Sequence, residues 1–211
     1  ELGVPQGRKR IIIIGSKFEP INIEEGIERV RQRLNIPQEV TIEDAISDLN
    51  DLESGDGELN NYPHGPLTNY QRARRANSNV LYNHVAPNHN EAALDRIRRI
   101  QPGQNWRDLE EAENIKSVHS GSYGRLEWDN QSPTITTRFD TPSAGRVIHP
   151  ERNRALTPRE AARIQSFDDS FVFYGNKTSI GKQIGNAVPP LVAEVLANII
   201  LDDMEERDLD T

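Results

Sequence analysis

The stretch Arg10-Ile11-Ile12-Ile13-Ile14-Gly15 decides the fold class. Four consecutive β-branched residues closed by a glycine have the pattern of a strand covered on both faces, as in the sheet of an α/β domain. Downstream, Ile23, Ile27, Val30 and Leu34 recur at spacings of four, three and four, one face of a helix, and Pro37 follows as a stop. Thr41, with Asp44 three residues on, predicts a second, capped helix. A buried strand of this kind needs partner strands on its flanks, and strong candidates for them are few. The expectation is part of an α/β sheet with its helices.

Further along, Gly55 to Pro66 carries glycine, asparagine and proline and reads as a loop. Between Leu67 and Pro150 helical periodicity is confined to Glu91–Ile100, while Tyr123–Trp128 and Pro133–Phe139 predict short strands. Thr157-Pro158-Arg159-Glu160 is the strongest local signal: a capping threonine, a proline suited to the first helical position, and a glutamate able to reach back to the cap. A last helix begins near Pro189-Pro190 and carries Leu191, Val192, Val195, Leu196, Ile199 and Ile200 into a core.

Composition narrows the function classes. The 211 residues contain 25 Lys+Arg against 33 Asp+Glu, a net charge of −8, but the charge is uneven. Seven acids between Glu43 and Glu58, and a tail from Leu201 to Thr211 at −5, together hold −12 and leave the rest of the chain at +4. Local positive patches, not net charge, govern phosphate binding. The arginines cluster at 72–75, 96–107, 138–154 and 159–163, although Arg96, Arg98 and Arg99 also suit a solvated helix face. Hydrophobic content is 35% and mean hydropathy −0.72. No run approaches the roughly 18 apolar residues of a membrane span, so no membrane partner is expected. Without a single cysteine, the chain has no disulfide, no thiolate–zinc site and no cysteine nucleophile. His84 and His89 lack companions for a metal set and read as loop residues, so no metal site is expected.

Three segments together resemble the cytosine-C5 DNA methyltransferase family. Gly3-Val4-Pro5-Gln6-Gly7-Arg8-Lys9-Arg10 looks like its Gln-x-Arg-x-Arg motif, Arg154 to Phe167 is similar to its ninth motif, and Gln183-Ile-Gly-Asn-Ala-Val-Pro-Pro190 to its tenth. The resemblance runs in order from about Gly3 to Ile200. It implies the C-terminal portion of a Rossmann-like, S-adenosyl-L-methionine-dependent domain, with an inserted, mostly-β target-recognition domain. The implied boundaries are 1–52 and 153–205 for the catalytic domain, 53–152 for the insert and 206–211 for an acidic tail.

In such enzymes a cytosine is flipped out of duplex DNA, a cysteine attacks C6, a glutamic acid supports N3, and C5 takes the methyl group. The resemblance gives Arg10 the catalytic contact to the cytosine O2, where a permanently charged donor stabilises the electron density pushed onto the ring. Arg8 would hold a backbone phosphate or brace the active-site loop. Asn186, Ala187 and Val188 match positions along the cofactor, and Asn186 also suits a helix cap. Thr134 and Ile135 resemble the Thr-Leu/Ile pair near the flipped base, with Arg125 and Arg138 as neighbours. Arg72, Arg74 and Arg75 suit phosphate contacts, or equally a solvated loop. The Thr157–Phe167 segment is expected to be structural, and Arg159 and Arg163 non-catalytic.

The family's glycine-rich cofactor loop, Pro-Cys nucleophile and Glu-Asn-Val segment have no counterpart in these residues. The expectation is therefore a chain inactive alone. It would be an excised fragment, one subunit of a split enzyme, or a non-catalytic DNA-binding module; a scaffold without a DNA role is the reading from a different class. The expected partners are double-stranded DNA and an N-terminal catalytic half, with self-association of the isolated chain through Ile11–Ile14 and Leu191–Ile200, and a bacterial-type cytoplasmic location.

Overall fold

A computed structural model describes residues 2–17, 19–49, 51–110 and 120–209, so the end of the acidic tail, 210–211, lies outside the described residues. Helix α1 (Ile23–Arg33) is capped by Asn22 and has acids in its first turn and arginines in its last, each complementing the helix dipole. Helix α2 (Ile42–Ile46) starts at the capping box of Thr41 and Asp44. Helix α3 (Asn69–Arg75), capped by Thr68 with Gln71, occupies a stretch whose arginines read equally as a loop. Helix α4 (Glu91–Arg99) follows the periodicity noted in the sequence. Helix α5 (Pro158–Ile164) has the Thr157–Glu160 capping box in full. Helix α6 (Lys177–Gly185), capped by Asn176, was not anticipated. Helix α7 (Pro190–Leu209) closes the chain.

Strand content is small. Strand β1 (Gln6–Gly7) pairs in parallel with β3 (Ser132–Pro133), and β2 (Gly124–Arg125) pairs in parallel with β4 (Arg146–Ile148). The longer strands expected at Tyr123–Trp128 and Pro133–Phe139 are thus corrected to two-residue pairs. Proline has no N–H to continue a ladder from Pro133. The decisive stretch is also corrected: Ile11–Ile14 forms no strand, and Ile11 and Ile13 are 90% and 89% exposed. Backbone groups of a strand require a neighbour, and the described residues present none there. The apolar exposure expected of this segment is observed at Ile11, Ile12 and Ile13, whereas the exposure expected of Leu191–Ile200 is corrected: Leu191, Val195 and Ile199 are buried, the last two against Val30.

The main core is shared across the chain. It joins Ile42 and Ile46 of α2, Leu126, Ile135, Phe139 and Val147 of the middle segment, Ala161, Ala162 and Ile164 of α5, and Ile184 of α6. A satellite cluster of Ile97, Ile100, Leu109, Tyr123 and Ile148 supports the middle segment from within. Val30, Val195 and Ile199 form a third cluster where α1 meets α7. There Gly26 permits close approach, since a Cβ would stand 2.7 Å from Ile199 Cγ2. Lys177–Arg207 is, by length and composition, long and apolar enough to cross a membrane, contrary to the expectation that no run approaches one. In the structure this stretch is two helices, broken at Asn186–Pro189.

Helix α5 is held by buried charge. Arg154 makes paired bonds of 2.8 and 2.7 Å to Glu160, while Arg163 binds Asp169 at 2.6 and 2.7 Å and Asp48 at 3.1 Å. Arg159 donates to the carbonyls of Tyr82, Asp168 and Phe171. All three arginines are fully buried. Burial by itself would raise the Glu160 carboxyl, but Arg154 outweighs it and holds the group at about 2. Each cation therefore fastens a neighbouring segment to α5, in keeping with the structural role expected of Thr157–Phe167.

Candidate functional site

The chain after α5 turns sharply. Ser166 adopts a left-handed φ of 66°, and its Oγ accepts the N–H of Leu191 at the start of α7. This anchors the far side of the Asn186–Pro189 turn. Asn186 is the C-cap of α6, not the start of the last helix, its N–H bonding back to Ile184 and Lys182. Next to the turn, Arg8 Nη1 donates to the carbonyl of Gly185 at 3.1 Å, across 177 positions of sequence.

The two segments enclose a cleft of about 500 Å³, whose lining includes Arg8, Arg10, Ile11, Ile12, Gln131, Asn186, Ala187, Val188 and Val192. One wall is cationic, the other apolar with polar backbone at its edge. Arg10 is exposed and, among the described residues, donates only to the carbonyl of its neighbour Lys9, at 2.7 Å. Arg8 is half-buried; burial first, and then the charge of Arg10, pulls its guanidinium below the ordinary value. Its Nε is buried and has no hydrogen-bond partner among the described residues, a donor suited to an anionic or carbonyl ligand. The mix of apolar wall, free donor and exposed amide suits a ligand with polar and apolar parts.

The middle segment reaches the same place. Thr134 Oγ1 donates to the carbonyl of Gly7 at 3.3 Å, and the N–H of Ile135 donates to Gln6 Oε1 at 2.6 Å. Ile135 is buried while Thr134 is half-buried. Helix α6 packs directly on the backbone that follows: a Cβ on Gly181 would lie 2.5 Å from the Thr137 carbonyl oxygen, and one on Gly185 would meet Thr137 N at 2.3 Å. Arg10, Arg8, Thr134, Ile135 and Asn186–Val188 are thus neighbours in space.

The other arginines are elsewhere. Arg125 is buried, and all five guanidinium N–H groups are used: by the carbonyls of Ile100, His149, Arg152 and Ile97, and by Asn153 Oδ1. Arg74 bonds the Ser166 carbonyl and Asp168, and Arg75 bonds Asp48 and lies 3.7 Å over the ring of Tyr62. Arg74, Arg75 and Arg125, expected at DNA, have their charges engaged by groups of the chain itself in this structure. Arg72 stays exposed on the outer face of α3, bonded to Pro66 and Asn69. His84 and His89 have structural bonds, to Thr157 Oγ1 and from the Ala155 N–H.

Gln131, Gln6 and Gln165 were not singled out as site residues, yet the first lines the cleft and the other two bridge its walls. The only signal for the latter pair was their place inside two of the motifs.

Comparison with known proteins defines first a class, a methyltransferase fold. A solved structure described as a "putative DNA modification methyltransferase" encoded within a prophage (E. coli) superposes with a TM-score of 0.57 at 23% identity, covering 78% of this chain and 47% of that one. Residues 1–202 match the C-5 cytosine-specific DNA methylase family, and the chain belongs to it. Type II methyltransferase M.DdeI of Desulfomicrobium norvegicum is 35% identical over 95% of this chain and 52% of its own length. Type II methylase M.HgiDII of Herpetosiphon aurantiacus is 31% identical, with coverage of 98% and 55%. DNA (cytosine-5)-methyltransferase 4 of Arabidopsis thaliana is 31% identical over 92% of this chain and 16% of its length. The chain spans about half the length of the bacterial relatives and a much smaller share of the plant one.

Proposed function

We propose that this chain is the C-terminal, DNA-recognising portion of a DNA (cytosine-5-)-methyltransferase, with residues 53–152 as its target-recognition segment between two parts of the catalytic domain. The observation that carries the reading is the cleft in which the cationic wall of Arg8 and Arg10 faces Asn186–Val188 from the other end of the sequence. Family membership supplies the reaction class.

Arg10, exposed at the cleft and bonded to its neighbour's carbonyl, holds the O2 of an extrahelical cytosine. Its fixed positive charge favours the state in which the ring has gained electron density. Arg8 spans the cleft to Gly185 and keeps Arg10 at a set distance from the ligand turn. Thr134 and Ile135, fastened to Gly7 and Gln6, approach the base step, while Arg72 meets a phosphate. Asn186, Ala187 and Val188 hold S-adenosyl-L-methionine by backbone and amide groups against the apolar side of Val188 and Val192. When bound, that group supplies an electrophilic methyl.

No residue of this chain is a cysteine, so the attack on C6 is made by a partner half, joined or separate. The exposed Ile11 and Ile13, and an apolar groove of about 350 Å³ lined by Leu2, Ile12, Ile14, Ile23 and Leu196, suit the added strands of such a half. Without it, the reading expects self-association and no methyl transfer.

The test is co-expression with a cysteine-bearing N-terminal half and measurement of 5-methylcytosine in cellular DNA. Methylation is expected with the pair, not with this chain alone, and Arg10→Ala abolishes it while leaving DNA retention largely intact. Full activity of the Arg10→Ala pair, or no methylation in any pairing, refutes the assignment. DNA retention without methylation in any pairing favours the non-catalytic binding module, which the acidic 43–58 stretch and tail argue against.

A further inference from the structure

We propose that Gln165 is a positioning residue that joins Gln6 to the carbonyl of Ile184, holding the base-facing segment and the ligand turn in one register. What those two segments bind rests on the functional reading above; how they are joined rests on geometry alone.

The N–H of Ile135 donates to Gln6 Oε1 at 2.6 Å, Gln6 Nε2 donates to Gln165 Oε1 at 2.8 Å, and Gln165 Nε2 donates to the Ile184 carbonyl at 2.8 Å. All four residues are buried. The direction of this chain is set at both ends. A backbone N–H only donates and a carbonyl only accepts, so neither side-chain amide can be turned over without leaving two buried groups unpaired. The Ile184 carbonyl also accepts the N–H of Ala187 at 3.3 Å, so the chain ends on the group that shapes the Asn186–Val188 turn. It begins on the residue beside Thr134, whose hydroxyl is bonded to Gly7. Segments that lie far apart in sequence are therefore linked in series through Gln6 and Gln165, and a shift of any of them breaks a buried bond.

The test is amide hydrogen exchange followed by NMR on the full chain, unmodified and as Gln165→Met and Gln6→Met. Methionine keeps the length of the side chain and removes the bonds. Loss of one buried hydrogen bond corresponds to roughly a five- to tenfold change in a local opening equilibrium. The Ile135 N–H is expected to exchange faster by about that factor in both variants, relative to the Ala161 N–H within α5. Uniform acceleration of both amides, or an unchanged Ile135 in Gln165→Met, overturns the proposal. If neither variant folds, the side-chain N–H protons of Gln165 in the unmodified chain decide: slow exchange supports the joint, and exchange at the free-amide rate overturns it. Titration with S-adenosylmethionine separates this inference from the function it serves. Ala187 should respond in every protein and Ile135 in the unmodified chain only. An unresponsive Ala187 refutes the functional reading and leaves the joint to the ligand-free comparison; an Ile135 that still responds in Gln165→Met refutes the joint.

Discussion

Replacing Gly185 by alanine tests the contact on which the candidate site depends. The added Cβ would stand 2.3 Å from Thr137 N, 2.5 Å from Thr136 C and 2.6 Å from Thr137 Cα, all of them backbone atoms that cannot rotate aside. Ordinary contact begins near 3.4 Å, so α6 and the 136–137 backbone must separate by about 1 Å. That movement strains the Arg8 bond to the Gly185 carbonyl and the Gln165 bond to Ile184. Overpacking costs ~1–3 kcal/mol and two weakened bonds ~1 kcal/mol each. Alanine returns ~1 kcal/mol of helix propensity at this position in α6. The net expectation is a loss of about 2–4 kcal/mol, read as a lowered urea midpoint with unchanged slope, followed through the fluorescence of Trp106 and Trp128. Gly57, with nothing within 4 Å of a built Cβ, is the control and should change by less than about 0.5 kcal/mol as Gly57→Ala. A Gly185→Ala protein as stable as the unmodified chain would show that α6 does not rest on Thr136–Thr137, and the cleft as described would go with it.

Two further outcomes concern the charged interior. Arg163→Lys keeps one positive charge but cannot span Asp169, Asp48 and the Ala45 carbonyl; a loss of about 3–5 kcal/mol in urea unfolding is expected, and a loss under 1 kcal/mol contradicts the network. Stability should also depend on pH. Burial holds His84 at about 4 and His149 at about 3, below the ordinary 6.5, so the unfolded chain takes up protons that the folded chain refuses. The contribution is complete above about pH 6.5 and is lost as pH falls towards those values, at ~1.4 kcal/mol per pH unit for each imidazole. Glu160, held at about 2, adds a loss that begins near pH 4.5. A urea midpoint that stays level from pH 7 to pH 5 would contradict the buried, neutral imidazoles.

Local chemistry was legible in the sequence wherever a few adjacent residues carry it. Thr41 with Asp44, and Thr157 with Pro158 and Glu160, announced α2 and α5 because a cap is a bond between residues three apart. The periodicity of Ile23 to Leu34 announced α1 for the same reason. Helix α6 is not legible because its polar outer face and its two glycines, Gly181 and Gly185, carry no apolar period; those glycines pack on Thr137, a residue more than forty positions away. The arginines were the hardest to read. Arg72, Arg74 and Arg75 share one helix, yet the fold leaves the first in solvent and turns the other two to Asp168 and Asp48. Arg125, in a segment read as a reader of bases, spends every donor on carbonyl oxygens.

By itself the sequence determined the starts of α2, α5 and α7, the apolar face of α1, the lack of a sulfur nucleophile and the motif order that points to a family. Only the tertiary structure decided that Arg8 and Arg10 face Asn186–Val188, that Ile11–Ile14 forms no strand, and that two glutamines bridge the walls between. The physical reason is range. Caps and periodicity act within one or two turns of chain, whereas the burial and pairing of a charge or an amide depend on whichever residues the fold brings within 3 Å, and those can lie anywhere in the sequence.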